Sequence, residues 1–278
     1  MKNILVATDF SSNAYNALFH ATRLLGDSPG KFYLLHVYDE NTVLSGLKDA
    51  VSESQALADR SIDGLRETYH RIKRDRPDSN YDFETLSVQG DLVVAIEETI
   101  QEKNIDLVVM GNSGCSEMKA IFLGSNVLRA ISGIKKCPIL TIPKEIDFNP
   151  PKAISFVTDY KSNFDVELLE PLRFIARQFN SKIRIMHINE EETFTETQHM
   201  NRGLLLDYFS DFDHTLNWMP LFKSKATAIH GFLEEMNIDL LVMVNYEHSF
   251  LEKISREPVI KRIAFDLDIP FLVIPYED

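Results

Sequence analysis

Short apolar runs alternate along this chain with longer stretches in which apolar residues return every three or four positions, the rhythm of strands followed by amphipathic helices. Ile4–Ala7 reads as a short apolar strand. Ser11 or Ser12 then caps a helix whose Ala14, Ala17, Leu18, Ala21, Leu24 and Leu25 share one face; Gly26 and Pro29-Gly30 end it. Phe32–Val37 is a second strand. A long polar helix across 42–75 follows, and Arg76-Pro77-Asp78 stops it. Tyr81–Val88 reads as a third strand and Leu92–Glu102 as a helix. Leu107–Met110 is apolar at every position, as a strand buried on both faces of a parallel sheet should be. A helix over 125–133 and a strand over 138–142 close the unit. This alternation predicts an α/β fold with a doubly wound parallel sheet and helices on both faces.

The same plan then repeats. Residues 2–13 read KNILVATDFSSN and residues 152–163 read KAISFVTDYKSN. Thr8-Asp9 recurs as Thr158-Asp159, and Leu35-His36-Val37 as Met186-His187-Ile188. Asn104-Ile105-Asp106 recurs as Asn237-Ile238-Asp239, each followed by an apolar run ending in Met110 or Met243. Each half ends on a Pro-flanked apolar strand, Ile139–Ile142 and Phe271–Ile274. Matches in preserved order point to a duplication. Asn149-Pro150-Pro151 is the linker, so the halves are 1–147 and 151–278. Pro171 falls inside the first helical pattern of the second half and predicts a kink or a late helix start. That half's third strand is expected within 213–223, around Trp218, whose simplest reading is core packing.

Composition narrows the function. A length of 278 residues suggests two domains, and 44% hydrophobic with 26% charged residues is a globular balance. The net charge of −13 repels phosphate backbones, which argues against nucleic-acid partners. A small anion remains compatible, because backbone N–H groups bind phosphate without net positive charge. No apolar run approaches the ~20 residues of a membrane helix. The first residues lack a signal-peptide core, so a cytoplasmic protein is expected. The cysteines, Cys115 and Cys137, form no metal or disulfide pattern; they read as a loop thiol and a small buried residue.

The chemistry concentrates where strands end, the usual ligand position in an open parallel sheet. The first strand ends at Ala7-Thr8-Asp9. The fourth runs into Gly111-Asn112-Ser113-Gly114, and Gly124-Ser125-Asn126 then opens a helix. Glycines admit a close ligand, and a helix start offers N–H groups and a favourable dipole to an anion. The pattern is neither GxxxxGK[ST] nor GxGxxG. Gly-x2-Gly-x9-Gly-Ser, together with Thr8–Ser11, His36-Val37 and the 106–111 run, resembles the universal stress protein family over nearly the whole chain, as two successive family domains.

That resemblance implies tandem Rossmann-like (HUP-like) domains in a pseudo-twofold arrangement, with the last strands of the two halves pairing as family homodimers do. A further homodimer is left open. It implies ATP, ADP or AMP as ligand, with or without Mg2+, and a stress-response or signalling role through an unidentified protein partner. Asp9 would contact the ribose, with Ala7 and Thr8 on the same wall. Val37 would meet the adenine edge, Met110 and Gly111 would flank the nucleoside, and Gly114 would admit ribose or phosphates. Gly124, Ser125 and Asn126 would bind phosphate oxygens. Simpler readings compete: Asp9 as a helix-capping carboxylate (Asp159 supports this), His36 and His187 as core histidines, Lys119 as a solvated loop lysine. No catalytic or metal-ligating residue stands out, although a slow self-phosphorylating ATPase and a nucleotide-free scaffold are alternatives. In the second half Val244, Glu247, Arg256, Glu257 and Pro258 replace Gly111, Gly114, Gly124, Ser125 and Asn126, so nucleotide is expected in the first half alone.

Overall fold

The fold is described from a computed structural model over residues 2–26, 28–38, 50–77, 80–112, 125–144, 146–163, 165–189, 193–221, 224–246 and 267–276. These residues form two compact units, one ending at 144 and one beginning at 146.

The first unit runs β1 (Asn3–Ala7), α1 (Ser12–Leu24), β2 (Gly30–Tyr38), α2 (Ala50–Asp75), β3 (Tyr81–Gln89), α3 (Leu92–Lys103), β4 (Leu107–Gly111), α4 (Ser125–Gly133) and β5 (Ile139–Ile142). Its strands are ordered β3-β2-β1-β4-β5 and pair in parallel. The second runs β6 (Ala153–Val157), α5 (Val166–Phe179), β7 (Lys182–Asn189), α6 (Glu196–Tyr208), β8 (His214–Pro220), α7 (Lys225–Glu235), β9 (Leu240–Tyr246) and β10 (Phe271–Tyr276). Its order, β10-β9-β6-β7-β8, is the same wiring, again parallel.

The apolar pattern explains the layers. Leu5, Val6, Val108 and Val109 are fully buried in the central strands of the first unit. Along α1 and its C-cap Leu25, Ala14, Ala17, Leu18, Ala21, Leu24 and Leu25 are all buried. A large apolar side chain so buried contributes roughly 1.5–3 kcal/mol. Ser11 caps α1, its Oγ accepting from the Ala14 N–H at 3.1 Å. Asp91 does the same for α3 through the Val93 and Val94 N–H groups. No described helix is long and apolar enough to cross a membrane.

The repeated Asn-Ile-Asp segment has a structural cause. Asn104 and Asn237 sit in the left-handed region, at φ 50° and 49°, where asparagine is tolerated and a helix can stop. Asp106 Oδ2 accepts from the N–H groups of Lys2 and Asn3, at 2.6 and 2.9 Å. Asp239 Oδ2 does so from Lys152 and Ala153, at 2.8 and 2.9 Å. Each aspartate thus ties down the start of its unit's first strand.

Two features of the second half differ from the sequence pattern. Helix α5 begins at Val166, capped by Asp165, whereas α1 begins at Ser12, the position matching Ser162. The start is late relative to α1 but falls at Val166 rather than at Pro171, which lies within the helix. Trp218 is not a core residue: it is 47% exposed on β8, at the end of the strand order. An indole stacked on Phe194 keeps one face covered without leaving the surface.

Candidate functional site

A cavity of about 200 Å3 opens at the carboxyl ends of β1, β2 and β4 in the first unit. Ala7, Thr8 and Asp9 come from the end of β1, His36 and Val37 from β2, and Met110 with Gly111 from β4. Helix starts supply the rest: Ser11, Asn13 and Ala14 at α1, Leu92 at α3, and Ser125, Asn126 and Val127 at α4. Eight of the ten residues singled out from sequence therefore line one space. The other two, Gly114 and Gly124, lie outside the described residues, as do Cys115, Lys119, Glu247, Arg256, Glu257 and Pro258.

The β1–α1 turn holds its shape through its own side chains. Thr8 Oγ1 accepts from the Phe10 N–H at 3.0 Å, and Asp9 Oδ1 from the Ser11 N–H at 3.0 Å. Phe10 adopts φ +64° between them. Asp9 is thus a turn-forming carboxylate, and the helix cap is Ser11. Only Oδ1 is committed to this turn, while the exposed carboxylate borders the cavity.

Gly111 has a steric reason beyond any ligand. A Cβ there would stand 2.8 Å from the carbonyl oxygen of Asn13. The glycine lets the end of β4 pack against the first turn of α1, which brings Asn13 and Met110 to the same wall.

His36 departs from the core-histidine reading. It is half-buried, lines the cavity and stacks on Phe10 at 4.2 Å. Its Nδ1 lies 2.8 Å from Ser61 Oγ, which lies 2.7 Å from Ser87 Oγ. Burial pushes its pKa below the ordinary histidine range, against a weaker opposing pull from Asp9. Glycine at 64 brings α2 close over this stack, since a Cβ would lie 2.6 Å from the Phe10 ring.

Sequence reasoning had not placed Ser11, Asn13, Ala14, His36, Leu92 or Val127 in the site. Ser11 ended the Thr8–Ser11 segment and otherwise read as a helix cap, Ala14 carried only a helix signal, and Leu92 and Val127 arrive through topology alone. The serines facing His36 are far away in sequence, so the His36-Val37 pair did not by itself show that the imidazole lines the cavity. Cys137 is buried and its thiol is pushed up to about 12, chiefly by burial, which makes it inert. Among the described residues, no group of three or more His, Cys, Asp or Glu side chains is placed to hold a metal ion.

The corresponding turn in the second unit repeats the backbone chemistry. Thr158 Oγ1 accepts from Tyr160 N–H, Asp159 Oδ1 from Lys161 N–H, and Tyr160 has φ +58°. There, however, α6 closes over the turn. Gln198 donates to the Asp159 carbonyl, and Asn201 to the carbonyls of Tyr160 and Ser162. His187 Nδ1 donates to the Thr158 carbonyl at 3.0 Å. Tyr160 is 1% exposed, against 37% for Phe10. The place of Gly111 is taken by Val244, which is buried: Val157 pairs with Met243 as Ala7 pairs with Met110.

Residues 1–143 match the family model of the universal stress proteins. The chain belongs to the universal stress protein family. Universal stress protein MJ0577 of Methanocaldococcus jannaschii is 26% identical over 156 residues, 52% of this chain and 96% of that protein. Universal stress protein YxiE of Bacillus subtilis is 28% identical over 144 residues, 50% of this chain and 97% of its own length. Half of this chain thus suffices for a whole relative. A universal stress protein of Archaeoglobus fulgidus has the same fold over 98% of both chains, with a TM-score of 0.72 at 19% identity. In this family member, the α/β wiring appears twice in one chain.

Proposed function

We propose that the first unit binds an adenine nucleotide, ATP or its ADP and AMP relatives, and that the second unit binds none. The observation that carries this is the convergence of the β1, β2 and β4 ends with the N-terminus of α4 on one cavity. The first N–H groups of a helix lack intrahelical acceptors and, with the dipole, favour a phosphate. Ser125 and Asn126 stand at that start, exposed. Val37 and Met110 offer apolar surface to a base, and Asp9 offers a carboxylate to sugar hydroxyls. Asp9 is the one carboxylate among the described lining residues, so a Mg2+ ion would be carried mainly by the nucleotide's phosphates.

The second unit keeps the fold and fills the place. Val244 replaces Gly111, and the turn carbonyls are already bonded to α6. The protein would act as a nucleotide-responsive stress or signalling component in the cytoplasm, working through a protein partner rather than by turnover.

Calorimetric titration of nucleotide-stripped protein with ATP tests the reading, beside chromatography of any nucleotide released on denaturation. One site per chain is expected. Absence of binding, or two equivalent sites, overturns it.

A further inference from the structure

Asn13 stands in the first turn of α1, lines the cavity and is 5% exposed. Its Oδ1 is buried and has no hydrogen-bond partner among the described residues. A buried amide oxygen without a partner costs free energy that an apolar residue would not, so such groups are rarely left unmade. Its Nδ2 lies 2.9 Å from where a Cβ on Gly111 would stand, so the amide sits beside the end of β4. A donor on a molecule filling the cavity would satisfy the Oδ1.

Strand order fixes which part of a ligand that is. β1 lies between β2 and β4, and α4 leads away from β4 to β5 on the far side. A ligand with its anionic end at the start of α4 and its planar end at Val37 passes its middle over the ends of β1 and β4. Asn13 meets Gly111 there. In a nucleotide the middle is the sugar, and its donors are hydroxyl groups. A hydroxyl both donates and accepts, so it satisfies a buried amide in either orientation.

We propose that Asn13 hydrogen-bonds a ribose hydroxyl and makes the site selective for ribonucleotides over deoxyribonucleotides. This rests on the nucleotide reading above. The second unit supplies a natural contrast: the aligned Asn163 precedes the late start of α5 and is exposed.

The test is calorimetry on the full, nucleotide-stripped chain with ATP, 2′-deoxyATP and 3′-deoxyATP. The wild-type protein should bind ATP about tenfold more tightly than at least one deoxy analogue, the effect of one well-placed hydrogen bond. Asn13→Leu should weaken ATP by about that factor, leave the disfavoured analogue unchanged and so erase the discrimination. Asn13→Ser, a smaller polar change, should keep part of it. Equal loss for all three ligands would mean a merely structural role and overturn the proposal. Wild-type protein that binds all three equally overturns it too, whether or not the leucine variant folds. If ATP, ADP and AMP all fail to bind the wild type, the nucleotide reading falls with it; if they bind without discrimination, only the role of Asn13 falls.

Discussion

The β1–α1 and β6–α5 turns are built from the same residues to the same backbone plan, yet one borders an open cavity and the other lies under a helix. In both, a threonine hydroxyl and an aspartate carboxylate hold the next two N–H groups, and an aromatic residue takes a positive φ. What separates them is the neighbouring helix. In the first unit α2 places glycine and serine over Phe10 and His36. In the second, α6 sends Gln198 and Asn201 into the turn. The shared motif is therefore fold chemistry, and the surroundings decide whether it also serves a ligand.

The largest expected effect that tests this comparison comes from Gly111→Val. It installs in the first unit the residue that the second carries at Val244. Because the Cβ would collide with the Asn13 backbone, the change should destabilise the first unit by about 1–3 kcal/mol, as overpacking does. ATP affinity should fall at the same time. Thermal unfolding and titration read the two effects. A variant of unchanged stability would show that glycine is kept there for the ligand alone.

Next is the clamp of the second unit. Asn201 is fully buried and donates to two carbonyls. Asn201→Ala should cost about 1–3 kcal/mol, since it strands buried acceptors. It should leave nucleotide affinity as it was. If urea denaturation moved by less than a few tenths of a kcal/mol, the closed turn of the second unit would need another explanation.

A finer comparison pairs Asp9→Asn with Asp159→Asn. Asparagine can form the same turn through its side-chain oxygen, so both variants should stay within about 0.5 kcal/mol of wild-type stability. Only the first should weaken ATP, by roughly tenfold, through loss of a charged acceptor for sugar hydroxyls. Equal affinity in both variants would reduce Asp9 to the structural role that Asp159 already has.

The smallest effect concerns His36. Its folded-state pKa is lowered by burial, so the unfolded chain binds a proton more readily. The first unit should hold its full stability above the ordinary histidine pKa of about 6.5 and lose a little as pH falls below it. His36→Gln should flatten that slope. Half-burial keeps the effect small, and an unchanged pH profile would remove His36 as its source.

Much of this protein was legible in one dimension. Apolar runs such as Leu107–Met110 can be satisfied only between two layers, and the alternation of such runs with capped helices leaves few topologies besides the parallel one observed. The duplication was equally plain, because the Asn-Ile-Asp segment recurs intact, and Asp106 and Asp239 do the same job of holding the start of their unit's first strand, which lies far away in sequence. Glycines and serines at strand ends marked the cavity, because those residue types are needed wherever backbone comes close to something else. Three things were decided only by packing. The sequence offered Asp9 as ligand or cap, whereas the folded turn spends one carboxylate oxygen on Ser11 and leaves the other side facing the cavity. Trp218 looked like core until β8 fell at the end of the strand order. His36 and Asn13 became cavity residues because α2, β3 and β4 arrive beside them from distant parts of the chain. Local pattern fixes which elements form, since burial and capping act within a few residues. Which polar atoms end without a partner depends on where those elements meet, and only the tertiary structure decides that.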